Sequence, residues 1–277
     1  MSKKYDRPLP ESLGLPKVGV ETHAHLDYKP LTSETLSEAL ERAGRAGIDR
    51  IANVFLGAEA YRANAEGLRA YPQIFFLLGI HPDDCRERDI RCVADMAALF
   101  RADPNLKAVG EIGLDFYWKE VPPERQELFF REQLALAREL DMPVAIHSRD
   151  AAAETLRILD EAKLPGEMVL WHCFGAGPDL AVELIHRGFT VAIPGPVTYR
   201  KNEELRRAVA ILEMDRLVLE SDAPFLTPEP YRGIPNEPAY NVFTAQAVAQ
   251  VKGLSTQEIW RVTGENARRF YRLGSLA

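Results

Sequence analysis

The sequence predicts an α/β fold of the (β/α)8 (TIM) barrel class, in which eight parallel strands alternate with helices and close into a ring. Three observations carry this prediction. Short apolar segments alternate with amphipathic helical patterns from residue 17 onward. The 277 residues suit a single barrel, which takes about 250. Five of the six histidines follow predicted strands, at the end where such barrels carry their reactive side chains.

Strands are predicted where apolar and β-branched residues run together between turn residues. They cover residues 17–22, 50–55, 74–79, 107–112, 143–147, 168–172, 189–193 and 216–220. An open doubly wound sheet would show the same alternation of strands and helices. No Gly-x-Gly-x-x-Gly motif follows the first strand, which disfavours that arrangement.

Helical patterns connect these strands. They cover residues 35–45, 58–70, 90–100, 123–140, 151–162, 179–186 and 202–212. Two further helices, at 241–251 and 256–271, are expected to pack on the barrel, and Ser255 with Glu258 forms a capping box for the second. A proline-rich loop at 223–238 suits the rim of a site.

The bulk properties bound the domain organisation and the location. Residues 1–16 show no periodicity and predict an N-terminal arm, which leaves 17–277 as one domain. No apolar signal core and no 18-residue apolar run is present, so a cytoplasmic protein without membrane association is expected. The net charge of −7 argues against nucleic-acid binding over the whole surface, but not against a local groove. Three cysteines at unrelated spacings indicate no disulfide framework and no zinc knuckle.

The first strand ends in a His-x-His pair, His23 and His25. Residues i and i+2 of an extended segment point the same way, so two imidazoles face one point, as a metal site requires. Other reactive side chains also follow strands: His81 after the third, Glu111 after the fourth, His147 after the fifth, His172 after the sixth and Asp222 after the eighth. In a barrel these strand ends converge on one mouth. His186 lies in a helical stretch instead, where a solvated or capping role is expected.

Four histidines, a glutamate and an aspartate are more ligands than one catalytic zinc with an open position uses. They suit two divalent metal ions that share a bridging carboxylate. Glu111 is the expected bridge, because its strand lies between the first strand and the fifth and sixth. Asp222 is expected both to bind metal and to take a proton from the nucleophilic water. The imidazoles favour zinc or manganese, while the carboxylates also permit magnesium.

The segments around these residues resemble the TatD-like metal-dependent deoxyribonucleases, which belong to the amidohydrolase-like barrel hydrolases. The matching segments are 21–27, 79–82, 110–117, 146–151, 172–174, 220–224 and 236–238. The resemblance implies 3′→5′ exonuclease action on single-stranded DNA. It also implies one metal on His23, His25, Glu111 and Asp222, and a second on Glu111, His147 and His172.

The same resemblance assigns roles around the two metals. It implies that His81 contacts a substrate phosphate, and that Glu220 either supports a ligand or holds a further metal. Arg149, inside a matched segment, is a candidate for a second phosphate contact. Three aromatic residues beyond strand ends, Tyr117, Trp118 and Phe225, either stack on bases or pack the rim.

This chain departs from the family pattern at three positions. Glu21 stands where an aspartate is usual, Pro235 where an arginine is often found, and Gly175 where a serine is common. None is a proposed metal ligand, so the departures bear on substrate preference rather than on metal chemistry.

Other functions stay open at this point. A metal-dependent amidase or lactonase would use the same barrel, but such enzymes often bridge their metals with a carboxylated lysine on strand 4, and Lys107 lies too early to reach the mouth. Hydrolysis of aminoacyl-tRNA esters would use the same site. A missing metal ligand or base would favour a non-catalytic metal-binding barrel. All of the expected ligands and the expected base are present in the sequence. No obligate protein partner is inferred, and a monomer is expected.

Overall fold

The computed structural model describes residues 7–28 and 33–274, and in these ranges eight parallel strands form one sheet in sequential order. The strands are β1 (Gly19–Ala24), β2 (Ile48–Leu56), β3 (Ile74–Gly79), β4 (Leu106–Asp115), β5 (Val144–Arg149), β6 (Val169–Trp171), β7 (Thr190–Ile193) and β8 (Leu217–Leu219). The backbone N–H of His25 donates to the Ala223 carbonyl at 2.8 Å, and that of Asp222 to the His23 carbonyl at 2.9 Å. These bonds join β1 to the segment after β8, so the ring nearly closes and the predicted barrel class is confirmed.

Helices surround this ring. They are α1 (Ser33–Arg45), α2 (Ala58–Arg69), α3 (Arg91–Ala102), α4 (Pro123–Glu139), α5 (Ala152–Ala162), α6 (Pro178–His186), α7 (Glu203–Ile211), α8 (Asn241–Lys252) and α9 (Thr256–Phe270). Ser255 caps α9 as expected, because its Oγ accepts the backbone N–H of Glu258 at 3.1 Å. No helix within the described ranges combines the length and the apolar character that crossing a bilayer requires.

The N-terminal arm and the domain boundary remain predictions. Residues 1–6 of the predicted arm at 1–16, and residues 275–277 of the predicted domain at 17–277, lie outside the described residues. The described part of the arm contains a short 3-10 helix, Pro10–Leu13, which the sequence did not predict. Its Pro10 side chain is buried, so this segment packs against the barrel.

Strand β4 is longer than predicted, since it continues past 112 to Asp115 and pairs with β5 as far as Arg149. Gly113 makes this possible. Its φ of +147° is unfavourable for other residues, and a Cβ there would lie 1.9 Å from the His147 carbonyl oxygen. The predicted strand ended at residue 112, before this glycine, whereas here the glycine lets two strands approach closely.

The inside of the barrel is filled by side chains, as the fold requires. The inner cluster is apolar and consists mainly of Val20, Ala52, Val54, Phe75, Leu77, Ala108, Ala145, Leu170, Ala192 and Val218. The end of α9 joins this cluster through Ala267, Phe270 and Tyr271. The fully buried Tyr271 donates its hydroxyl to the Thr22 carbonyl at 3.1 Å. Helix α9 therefore closes the amino-terminal end of the barrel, opposite the mouth.

The proline-rich loop after β8 is held in place over the mouth. Asn236 donates from Nδ2 to the carbonyls of Ser221 at 2.8 Å and Phe225 at 2.7 Å. Glu237 accepts two bonds from Arg42 of α1, with Nε–Oε1 at 2.8 Å and Nη2–Oε2 at 2.7 Å. This bidentate pairing fixes the loop to the outer helical layer.

Candidate metal centre

The side chains predicted from the strand ends meet around Glu111. On one side of this carboxylate, Oε2 lies 3.4 Å from His23 Nε2 and 3.8 Å from His25 Nε2. On the other side, Oε1 lies 2.6 Å from His147 Nδ1 and 3.4 Å from His172 Nε2. Each oxygen of one buried carboxylate therefore faces its own pair of imidazoles.

Glu111 reaches this position on β4 because a glycine on the neighbouring strand β3 leaves room for the Glu111 backbone. Gly79 at the end of β3 lies so near that a Cβ would stand 2.7 Å from the Glu111 carbonyl oxygen. The side chain of Glu111 is buried and surrounded by rings from four other strand ends. A carboxylate so enclosed requires positive charge near it.

The second ring nitrogen of three of these histidines meets an acceptor. His25 Nδ1 lies 3.2 Å from the Val54 carbonyl, His172 Nδ1 lies 2.8 Å from Glu220 Oε2, and His147 Nε2 lies 2.9 Å from Asp115 Oδ2. A carbonyl or carboxylate oxygen accepts a hydrogen bond, so these nitrogens carry the proton. If a cation displaced the proton from the other nitrogen of each ring, the lone pairs would belong to the nitrogens that face Glu111.

The buried carboxylates and imidazoles of the cluster shift one another's pKa values. Burial alone would raise the pKa of Glu111, but His172 and His147 hold it well below its usual value. Burial also opposes protonation of His147, yet its bonds to Asp115 and Glu111 raise the pKa to about 9. The carboxylates of Glu220 and Glu111 likewise outweigh burial and raise the pKa of His172 to about 10. A bound cation would replace the protons that these rings otherwise attract.

His23 provides a test of whether the residues fit a metal. Its ring is fully buried, and neither nitrogen has a hydrogen-bond partner within the described part of the chain. Burial first, and repulsion from His172 second, lower its pKa, so the ring is neutral. A buried imidazole without a partner is unfavourable, and a cation beside Nε2 would satisfy it. The donor set therefore fits a metal centre.

Several groups of three donors lie close enough to share a cation. Their ligand atoms fall within 4.8 Å of one another in the groups His23–His25–Glu111, His23–His172–Asp222, Glu111–His147–His172 and His81–Asp115–His147. Asp222 Oδ1 also lies 3.6 Å from His25 Nε2. Burial opposes its ionisation, but the neighbouring His25 ring and the charge of His172 lower its pKa, so Asp222 is a carboxylate. All six residues predicted as metal ligands thus lie in one cluster.

His81 lies at the edge of the cluster and presents a different atom to it. Its Nδ1 accepts the backbone N–H of Asp83 at 3.2 Å, which leaves the proton on Nε2. Burial, followed by the nearby His147, lowers its pKa to about 3, so the ring is neutral. Nε2 lies 3.8 Å from Glu111 Oε1. His81 therefore offers the mouth a hydrogen-bond donor rather than a lone pair.

Arg149 lies exposed on the rim, at the end of β5. Its guanidinium carbon stands 3.7 Å above the Tyr117 ring and 5.9 Å from Trp118. This contact stacks the guanidinium on an aromatic ring at the rim. The sixth histidine, His186, is the last residue of α6 and is exposed, away from the cluster.

The departure at Glu21 changes how the His-x-His pair is supported. Glu21 Oε1 accepts the backbone N–H groups of His23 at 3.1 Å and Ser221 at 2.8 Å, and Oε2 accepts Asn241 Nδ2 at 3.0 Å. Burial raises its pKa to about 8. The longer side chain thus ties β1 to the segment after β8 and to α8. Gly175, the second departure, has open space around it, since a Cβ would meet only the Cys173 carbonyl at 3.8 Å.

Asp115 lies within the matching segment 110–117, but no role was predicted for it from the sequence. Asp115 Oδ1 accepts the backbone N–H groups of Tyr117 at 2.9 Å and Trp118 at 3.1 Å, while Oδ2 faces His147. The signal was present: residues 111, 113 and 115 share one face of an extended strand. It was lost because the predicted strand ended before Gly113.

The chain is similar to proteins of one family along nearly its whole length. Residues 20–272 match the family model described as TatD related DNase. YabD of Bacillus subtilis (strain 168), an uncharacterized metal-dependent hydrolase, is 34% identical over 256 residues, which are 91% of this chain and 98% of YabD. A Cronobacter turicensis protein named 3′-5′ ssDNA/RNA exonuclease TatD is 37% identical over 244 residues, 84% of this chain and 90% of that protein. The crystal structure of YJJV, a TatD homolog from Escherichia coli K12, superposes with a TM-score of 0.86 at 28% identity, over 92% of this chain and 98% of that one. The chain therefore belongs to the TatD-related family of metal-dependent hydrolases.

Proposed function

We propose that the protein hydrolyses phosphodiester bonds of single-stranded DNA from the 3′ end, with two divalent metal ions bridged by Glu111. The observation that carries the proposal is the division of Glu111, whose two oxygens face separate histidine pairs. A single cation would engage one of these pairs and leave the other unused. The relative named as a 3′-5′ ssDNA/RNA exonuclease supports the choice of substrate.

The residues around Glu111 would hold the two ions in two sets. His23, His25 and Asp222 would hold the first with Glu111, and His147 and His172 would hold the second with Glu111. Such a pair of ions lowers the pKa of bound water and offsets the charge that develops on a phosphodiester in hydrolysis.

The other groups of the mouth act on the substrate and on protons. His81 donates from Nε2 to a phosphate oxygen, and the Arg149 guanidinium attracts a second phosphate. Asp222 is ionised and lies at the cluster's edge, so it can accept the proton that the attacking water releases.

A single strand fits this mouth better than a duplex. Glu111, His23 and His172 are buried below a rim of exposed side chains, so a phosphate must enter the mouth to reach them. A flexible single strand can turn one phosphate inward, whereas a duplex is stiff over far more than the width of one barrel.

The experiment is cleavage of a 5′-labelled single-stranded oligonucleotide by dialysed protein. We expect no cleavage in excess chelator, and recovery when Mg²⁺, Mn²⁺ or Zn²⁺ is restored beyond the chelator concentration. The ladder of products should shorten from the 3′ end one nucleotide at a time. Full turnover in chelator would refute the metal mechanism, and internal cuts would refute the exonuclease assignment. An aminoacyl ester tested in parallel would expose an ester hydrolase, if it is cleaved while the oligonucleotide is not.

A further inference from the structure

The exposed aromatic side chains of this protein are gathered at the mouth. Among residues 7–28 and 33–274, the exposed aromatic residues are Tyr28 (53%), Tyr117 (49%), Trp118 (49%) and Phe225 (47%). All four follow carboxyl ends of strands, whereas the other exposed large apolar residues are aliphatic. Large rings left in water at one place indicate a binding surface rather than chance.

These rings form two pairs. In the first pair, Tyr28 and Phe225 have ring centroids 5.6 Å apart, and Phe225 lies 6.4 Å from the ring of His25. In the second pair, Tyr117 and Trp118 have centroids 4.9 Å apart, and Arg149 covers Tyr117. The first pair belongs to the β8–β1 side of the barrel and the second to the β4–β5 side. Since the strands follow in order around the ring, the two pairs face each other across Glu111.

Both pairs are fixed to the metal cluster through the backbone. The N–H of Phe225 donates to the Asp222 carbonyl at 2.8 Å, and its own carbonyl accepts Asn236. The N–H groups of Tyr117 and Trp118 donate to the carboxylate of Asp115, which also faces His147. The backbone therefore holds the rings near the cluster, while about half of each side chain stays exposed.

We propose that the two aromatic pairs stack the nucleobases on either side of the scissile phosphate. This inference rests on the proposed phosphodiester hydrolysis. A phosphate at Glu111 leaves one nucleoside toward Tyr28–Phe225 and the next toward Tyr117–Trp118. Stacking does not distinguish between bases, so it suits an enzyme that removes successive nucleotides of any sequence. It also requires unpaired bases, which explains a preference for single strands without any contact to base edges.

The test compares two substrates and two matched pairs of variants. Phe225→Ala and Trp118→Ala should each raise KM for a single-stranded oligonucleotide by about 5- to 100-fold, the range of one lost base stack. They should raise KM much less for methyl p-nitrophenyl phosphate, a diester without bases. Phe225→Tyr and Trp118→Phe should recover most of the oligonucleotide affinity. Leu128→Ala, at an exposed apolar position on α4, should leave KM unchanged for both substrates.

Abasic nucleotides then locate each stack. For an oligonucleotide that lacks the base on one side of the scissile bond, one of the two alanine substitutions should no longer raise KM. The other substitution should still raise it. The stacking proposal would be overturned if the alanine substitutions raised KM equally for both substrates. It would also be overturned if they raised KM for the abasic strands as much as for the complete strand. Failure to cleave any phosphodiester, by contrast, would overturn the proposed function itself. The two failures are therefore distinguishable in the same assay.

Discussion

Asp115 holds a proton on Nε2 of His147, so Nδ1, which faces Glu111, is the nitrogen that would give up its proton to a cation. Its Oδ1 already accepts two backbone N–H groups, and its Oδ2 accepts from His147 Nε2. In Asp115→Asn the single oxygen stays with the two backbone donors, so the new NH₂ faces Nε2. His147 must then place its proton on Nδ1, the nitrogen that faces Glu111.

We therefore predict that Asp115→Asn binds its second metal about 10- to 100-fold more weakly, the usual effect of losing such a support. Calorimetric titration of the metal-free protein measures this change. Asp95→Asn, at an exposed position on α3, is the matched control. Wild-type affinity in Asp115→Asn, with the fold intact by circular dichroism, would contradict the proton assignment.

The two metals proposed for this site both depend on Glu111. Glu111→Gln keeps the shape but replaces one oxygen with an NH₂ that cannot ligate. We expect clearly less than two metals per chain and an activity loss of roughly 100-fold or more. Elemental analysis and oligonucleotide cleavage on one preparation measure both, and the exposed Glu66→Gln serves as control. Two tightly held metals with near-normal cleavage would exclude Glu111 as the bridge.

His81 separates substrate binding from metal binding. Because its Nε2 carries the proton, His81→Ala should lower kcat/KM by about 100-fold or less while metal content stays at the wild-type value. His147→Ala should instead empty one metal site. His186→Ala, at the exposed end of α6, should change neither quantity. A missing metal equivalent in His81→Ala would make His81 a ligand.

At the scale of elements, the sequence predicts the strands that consist of continuous apolar residues. Strand β3 is buried along its whole length, so its apolar run marks it without knowledge of the fold. The end of β4 could not be predicted in this way. Gly113 signals a turn in sequence, and only the approach of β5 shows that it lets the strand continue. The role of Asp115 was hidden for the same reason.

Helix α9 shows a second limit of sequence reasoning. Its amphipathic pattern predicts the helix and its cap, but not that its last turn enters the barrel. That placement depends on Gly19, where a Cβ would lie 2.0 Å from Trp260, and on Gly264, where a Cβ would lie 2.4 Å from the Val18 carbonyl oxygen. Both are contacts between residues far apart in sequence.

The last turn of α9 should therefore contribute to stability through a polar contact. Tyr271→Phe removes the hydroxyl that the Thr22 carbonyl accepts, in a fully buried place. We expect the free energy of unfolding to fall by about 1 to 2 kcal/mol. Urea unfolding followed by circular dichroism measures the change, and Tyr71→Phe, at a half-buried position, is the control. An unchanged midpoint would mean that Tyr271 only fills space.

At the scale of the whole molecule, the net charge limits how the proposed DNA substrate would be held. With a charge of −7, the surface beyond the mouth offers little attraction to phosphates. Substrate contact should therefore be confined to the few nucleotides at the mouth. We predict that KM per 3′ end differs by less than about 3-fold between single strands of roughly 6 and 30 nucleotides, because each further phosphate contact would strengthen binding. A KM that falls steadily with length would reveal a basic track outside the mouth.

The seam between β1 and β8 makes the active site a late product of protein synthesis. Glu21 and Ser221, bonded across this seam, are separated by 200 positions along the chain. While the ribosome is still translating the second half, His23 and His25 precede the synthesis of His172 and Asp222, which complete the cluster. A chain released early lacks Asp222, or lacks the helix that closes the barrel. Premature termination thus leaves the cluster of the hydrolase incomplete, and the site is assembled only when translation has been carried through.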